Sequence, residues 1–217
     1  MGTIRENIAA IRRHIPEEVT LISVSKFHPA DAIREAYEAG ERDFGESRVQ
    51  ELVVKHRELS SDIRWHMIGH LQTNKVRDII GFIHLIQSVD SVHLLQTIEK
   101  EAARIDRVVH VLLELHVAAE ESKSGFAPAE LEALLSDIAA SRISFPHIAI
   151  DGLMTMATNT EDEAEIRRCF GEAHRIFAQH PSFTTLSMGM SDDHLIAIEE
   201  GSTMVRIGST IFGERIY

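Results

Sequence analysis

A lysine delivered by a strand to its carboxyl end can act as a nucleophile, and this chain has one in Leu21-Ile22-Ser23-Val24-Ser25-Lys26, followed by Phe27-His28-Pro29. The alternating, β-branched run reads as a strand, and Pro29 with Asp31 opens the next helix. An amine held there in a low-dielectric or cationic setting forms Schiff bases with aldehydes. Two glycine-bearing turns lie far along the chain, Leu186-Ser187-Met188-Gly189-Met190-Ser191 and Val205-Arg206-Ile207-Gly208-Ser209-Thr210. Their composition suits an anion: glycine lets backbone N–H groups come close, and hydroxyls add donors. A solvated lysine, two tight turns and an Arg206 neutralising a buried carboxylate would explain the same residues, so the fold must decide.

The elements that would position these groups alternate between helical and strand spacing, with no Ser/Gly/Pro-rich linker among 217 residues. Ile4, Ile8, Ile11 and Ile15 mark a leading amphipathic helix. Strands are predicted over residues 19–26, 43–46, 63–70, 84–90, 108–117, 147–156, 184–190 and 204–207. Helices are predicted between them over 29–39, 48–59, 73–80, 162–179 and 194–200, and on the apolar stripes Val92-Leu95-Ile98-Ala102-Ile105 and Leu131-Leu134-Leu135-Ile138-Ala139. This α/β pattern predicts a (βα)8 TIM-type barrel with an extra N-terminal helix, one domain spanning residues 1–217. An open doubly wound sheet is the alternative.

In such barrels the site lies at the carboxyl ends of the strands, and the loops after strands seven and eight are the common phosphate position. First and last strands pair in a closed barrel, so Lys26 and the Gly208 turn become neighbours. Arg206 shares strand parity with Gly208 and points to the same face. A ligand with both an aldehyde and a phosphate satisfies both features. Pyridoxal 5'-phosphate is a cofactor of that kind, and a phosphosugar on a Schiff-base lysine is the competing reading. Capping accounts for Asp90 and Ser191, and Ser191-Asp192-Asp193-His194 reads as a helix start rather than a serine triad. His66 and His70 share strand parity, but no third ligand is identifiable, so no metal is expected.

Composition narrows the classes. With 44% hydrophobic and 26% charged residues the chain can bury a core, while a net charge of −12 argues against nucleic acid or an anionic membrane as partner. Cys169, the single cysteine, sits in a helical run in line with Phe170, Ala173 and Phe177 and is expected in the core of a protein from a reducing compartment. No run is apolar enough to span a membrane and no signal-peptide core is evident, so a cytoplasmic location is expected.

The segments VSKFHP, FGESRVQE, WHMIGHLQTNK, EESKSGF, GLMTMA and LSMGMSDDHLIAIEEGSTMVRIGSTIFGER occur in that order. Together they make the chain resemble the pyridoxal-phosphate homeostasis protein family, the YggS/PROSC type, over essentially its whole length. The resemblance implies an alanine-racemase-like barrel, pyridoxal-phosphate fold type III without the C-terminal β domain. It implies that Lys26 carries the Schiff base, Arg206 faces the pyridine nitrogen, and Ser187, Gly208 and Ser209 cradle the phosphate, with Ser47, Met188 and Thr210 as further cofactor contacts. Ser47 stands where the family has Asn, Ala119 where it has Gly, and Ala157 where it has Pro.

Arginine is permanently charged and cannot accept the ring nitrogen's proton, so it weakens the cofactor as an electron sink. Racemases of this type also draw a second acid/base from an additional domain and a partner subunit, which this chain is expected to lack. The expected function is therefore holding pyridoxal phosphate for intracellular vitamin B6 homeostasis with little or no turnover, the alternative being an amino-acid racemase or decarboxylase. Apo forms of pyridoxal-phosphate enzymes are the expected recipients, Lys123 in a polar loop is a candidate hand-over residue, and a monomer or weak dimer is expected.

Overall fold

A computed structural model describes residues 2–119 and 124–213. Its eight parallel strands close into a barrel in sequence order: β1 (Thr20–Val24), β2 (Asp43–Glu46), β3 (Arg64–Met67), β4 (Leu85–Val89), β5 (Val109–Leu115), β6 (Ile148–Thr155), β7 (Thr185–Ser187) and β8 (Met204–Ile207). The helices are α1 (Ile4–Arg12), α2 (Ala30–Glu38), α3 (Val49–Glu58), α4 (Val76–Ile79), α5 (Val92–Ala103), α6 (Pro128–Ala139), α7 (Glu163–Phe177), α8 (His194–Glu199) and α9 (Ser209–Phe212). Closure is made by β1 on β8, with Ile22 opposite Arg206 and Ser23 opposite Ile207. The open-sheet alternative is thereby excluded. Among the described residues no helix is long and apolar enough to cross a membrane.

Strand alternation sorts the apolar residues into two cores. Ile22, Val24, Leu85, Leu112, Met154 and Met204 pack inside the barrel. The larger core, with Phe44, Trp65, Leu95 and Phe170, lies between strands and helices. Cys169 is fully buried there, as expected.

The leading helix has a structural purpose. Thr3 and Glu6 form a capping box, Ile8 and Ile11 are buried, and Asn7 Nδ2 donates to the Ile211 carbonyl at 2.9 Å. Because α9 is a single turn, α1 packs against α9 and α2 and completes the outer layer there.

Two strands end three residues before their predicted limits. Residues 68–70 lie beyond β3, and Met188-Gly189-Met190 lie beyond β7. Gly189 turns the chain at φ +95°, and a Cβ there would stand 2.5 Å from the Ala197 Cβ and 2.9 Å from the His194 Cα. Its carbonyl accepts the Arg206 N–H at 3.0 Å. Gly189→Ala therefore combines left-handed strain with a clash against α8, and a loss of about 1–3 kcal/mol is expected in denaturant unfolding.

Candidate functional site

Lys26 is half-buried two residues beyond β1. The next residue, Phe27, has φ +66°, a conformation costing a non-glycine residue about 1–2 kcal/mol. Surrounding bonds hold it. The Phe27 N–H donates to Glu51 Oε2 at 2.9 Å, the His28 N–H to the Ser25 carbonyl at 3.1 Å, and the Arg48 guanidinium lies 4.6 Å from the Phe27 ring centre. Behind the turn, Lys55 Nζ donates to the Ser25 carbonyl at 2.9 Å and to Glu46 Oε1 at 2.8 Å. Ser25 Oγ donates to the same Glu46 oxygen at 2.6 Å. Burial pushes the Glu46 carboxyl upward, and the Lys55 ammonium opposes that shift. Thus a buried ion pair between barrel and α3 fixes the peptide that leads into Lys26.

Arg206, only 4% exposed, projects from β8. Its Nη1 donates to the Ser187 carbonyl at 2.9 Å and to Ser187 Oγ at 2.7 Å, and Nη2 donates to the Thr155 carbonyl at 2.9 Å. None of these acceptors is a carboxylate; Asp193 and the buried Glu114 act on the guanidinium through their charge, without a direct bond. Burial lowers its pKa to about 10, which leaves it charged at neutral pH.

Lys26, Arg206, Gly208 and Ser209 line one cleft across the β1–β8 seam. Its walls include Val24, Ile68, Met156 and Met190, and Ser47, His28 and Ser191 complete it. The cleft encloses about 120 Å³ and opens to solvent. Ser209 Oγ donates to Ser191 Oγ at 3.1 Å, so the two turns offer adjacent hydroxyls. Ser47 reaches the cleft because Gly69 lets the chain pass close: a Cβ at Gly69 would stand 2.6 Å from the Ser47 carbonyl oxygen.

Three expected contacts lie elsewhere. Ser187 does not line the cleft: its hydroxyl accepts from Arg206 and donates to Gln87 Oε1 at 2.7 Å, because strand parity turns it into the barrel. It supports Arg206 from below. Met188 is fully buried in the outer core, and Thr210 is exposed on α9 outside the lining. Lys123 lies outside the described residues.

Conversely, Ser191, assigned to capping, belongs to the cleft, and α8 begins instead after Asp193. Asp90 is likewise no cap. Ser91 accepts the Leu94 N–H at 3.3 Å, while Asp90 bonds His70 Nδ1 at 3.0 Å. Ile68 and Met156 each follow the end of a strand, a position that signals the site, but apolar residues there do not stand out in a sequence. His28, two residues beyond Lys26, also lines the cleft, and its ring stacks on Phe212 with centroids 5.1 Å apart.

Below the cleft, a chain of polar contacts runs through the barrel. From Arg206 and Ser187 it passes to Gln87, whose Nε2 lies 3.1 Å from His66 Nδ1. His66 Nε2 is 3.1 Å from Asp43 Oδ1, and Arg64 Nε donates to that oxygen at 2.7 Å. His66 and His70 therefore face different partners at opposite ends and share no ligand.

The family model described as "Alanine racemase, N-terminal domain" matches residues 1–216. The pyridoxal phosphate homeostasis protein of Aquifex aeolicus is 39% identical over 203 residues, covering 91% of this chain and 87% of the relative. That of Pseudomonas aeruginosa is 38% identical over 229 residues, covering 100% and 98%. The solved structure of PipY from Synechococcus elongatus PCC7942, with PLP bound, superimposes with a TM-score of 0.89 at 39% identity, covering 97% of this chain and 100% of PipY. Alanine racemase from Clostridium difficile 630 shares the fold at a TM-score of 0.76 and 18% identity, with 98% of this chain matching 56% of the racemase.

Proposed function

This chain belongs to the pyridoxal phosphate homeostasis protein family, within the alanine racemase N-terminal-domain family, and on that premise we propose that it binds pyridoxal 5'-phosphate in the cleft at the β1–β8 seam. In this reading it serves in the cytoplasm as a carrier or buffer of the cofactor, with apo enzymes as recipients and little or no turnover of its own. The supporting observation is the meeting of one lysine, one buried arginine and a glycine–serine turn in a single cleft.

The donor set fits the group. Lys26 would supply the amine that holds the cofactor through its aldehyde. Arg206, held by Ser187 and Thr155, would lie against the pyridine nitrogen and, being charged, could not give it a carboxylate's help in taking a proton. Ser191, Ser209 and the backbone at Gly208 donate to the phosphate, and Val24, Ile68, Met156 and Met190 exclude water from the ring. When bound, pyridoxal phosphate supplies an electrophilic carbon and an electron-withdrawing ring. Among the described lining residues, His28 is the one further side chain that ordinarily titrates near neutrality, and it packs against Phe212.

Purified protein incubated with pyridoxal phosphate should show visible Schiff-base absorption that borohydride removes, and peptide mass mapping should place the reduced adduct on Lys26. No absorption at saturating cofactor would sink the proposal. Rapid exchange of an amino acid's α-proton with solvent by the loaded protein would replace the carrier by the racemase alternative.

A further inference from the structure

The opposite mouth of the barrel carries a second constellation. Asp43 on β2, His66 on β3 and His84 just before β4 each offer a ligand atom, all within 4.8 Å of one another. They border a cavity of about 320 Å³ that also holds Arg64, His110 and Asp151. No sequence spacing announces this group, because the three residues lie on or beside three different strands.

We propose that this mouth is a divalent transition-metal site, with Asp43, His66 and His84 as ligands and the cavity side left open for water. One carboxylate and two imidazoles form a donor set for Zn²⁺-like ions, which leave a position open when the protein supplies three ligands. The two closest donors, His66 Nε2 and Asp43 Oδ1, stand 3.1 Å apart, a separation that two ligands at about 2.0–2.2 Å from a common ion can share. The His66 and His84 rings meet edge-on with centroids 5.3 Å apart.

The outer partners agree with this reading. A metal-bound imidazole keeps its other nitrogen in a hydrogen bond, and Gln87 occupies that position at His66 Nδ1, 3.1 Å away. To accept the Nδ1–H of a ligated ring the amide turns over, presenting Oε1 to His66 and Nε2 to Ser187 Oγ. Ligation through Nε2 displaces the contact from His66 to Asp43, and the ring's one proton moves from Nε2 to Nδ1. One feature opposes binding: Arg64 already shares the Asp43 carboxylate. The site is consequently weakened by a cation that a substitution can remove. Across the cavity, His110 is paired with Asp151 at 2.8 Å, so its Nδ1 is committed.

The test uses Co²⁺ as the probe, titrated into chelator-treated full-length protein. Saturable uptake of one ion per chain is expected, with visible ligand-field absorption. His84 is exposed, so His84→Ala should fold normally, and it should lose the absorption and the saturable uptake. Arg64→Gln should bind about five- to tenfold more tightly, since it frees Asp43 from a partly exposed ion pair. Absence of saturable uptake in the natural protein, or equal uptake by His84→Ala, would overturn the assignment. So would weaker binding in Arg64→Gln, since a purely structural Asp43–Arg64 pair predicts loss rather than gain.

Discussion

Lys26→Ala protein mixed with pyridoxal phosphate is expected to develop no Schiff-base absorption and to retain no borohydride-fixed adduct. The loss should be complete, because alanine offers no amine and Lys55, the nearby buried lysine, is committed to Glu46 and the Ser25 carbonyl. The fold should survive, since Lys26 is half-buried at the edge of a cleft and not in either apolar core. Residual, non-covalent binding should persist through Arg206 and the Ser191–Ser209 turn. Lys26→Arg separates the two contributions: it keeps a positive charge but should show no absorption either. An adduct of undiminished yield mapped to another lysine in either variant would move the covalent site away from this cleft.

The largest effect on stability is expected at Lys55, which touches no ligand. Lys55→Met removes the partner of a carboxylate that is fully buried and whose Oε2 has no bonding partner. Breaking a buried pair from one side costs about 3–5 kcal/mol, because the other charge is left uncompensated. Chemical denaturation should register that loss, and the pH dependence identifies its cause. Burial already raises the folded-state pKa of Glu46, and without Lys55 it rises further. A carboxyl with a raised folded pKa is tolerated below its unfolded pKa and destabilises as pH climbs through the folded one. The deficit should therefore be smallest in acid and grow toward neutrality, and adding Glu46→Gln should recover much of it. Cofactor binding should weaken as well, since the lost ammonium also anchors the peptide before Lys26. A deficit independent of pH would show that lost packing, not the buried charge, is responsible.

The pair also shows what a linear reading passes over. Glu46 ends a predicted strand and Lys55 lies within a predicted helix, yet only the packing of α3 on the barrel makes them partners. Ser187 illustrates the converse. Its type and place after a strand suit a phosphate contact, but parity at the end of β7 sends its hydroxyl inward to Arg206 and Gln87. Ser191 looked like a cap and lines the cleft because Gly189 bends the chain at φ +95° before α8 begins.

Periodicity along the chain was enough to establish eight strand–helix units, the leading helix and the buried cysteine, because burial alternates with period two in strands and about 3.6 in helices. Those are local properties, written wherever a side chain must face a core. Tertiary structure alone decided that the barrel closes with Ile22 beside Arg206, which serine faces the ligand cleft, and that Asp43, His66 and His84 converge at the far mouth. Such groupings depend on register and turn geometry between distant strands, and a shift of one residue there exchanges an inward side chain for an outward one.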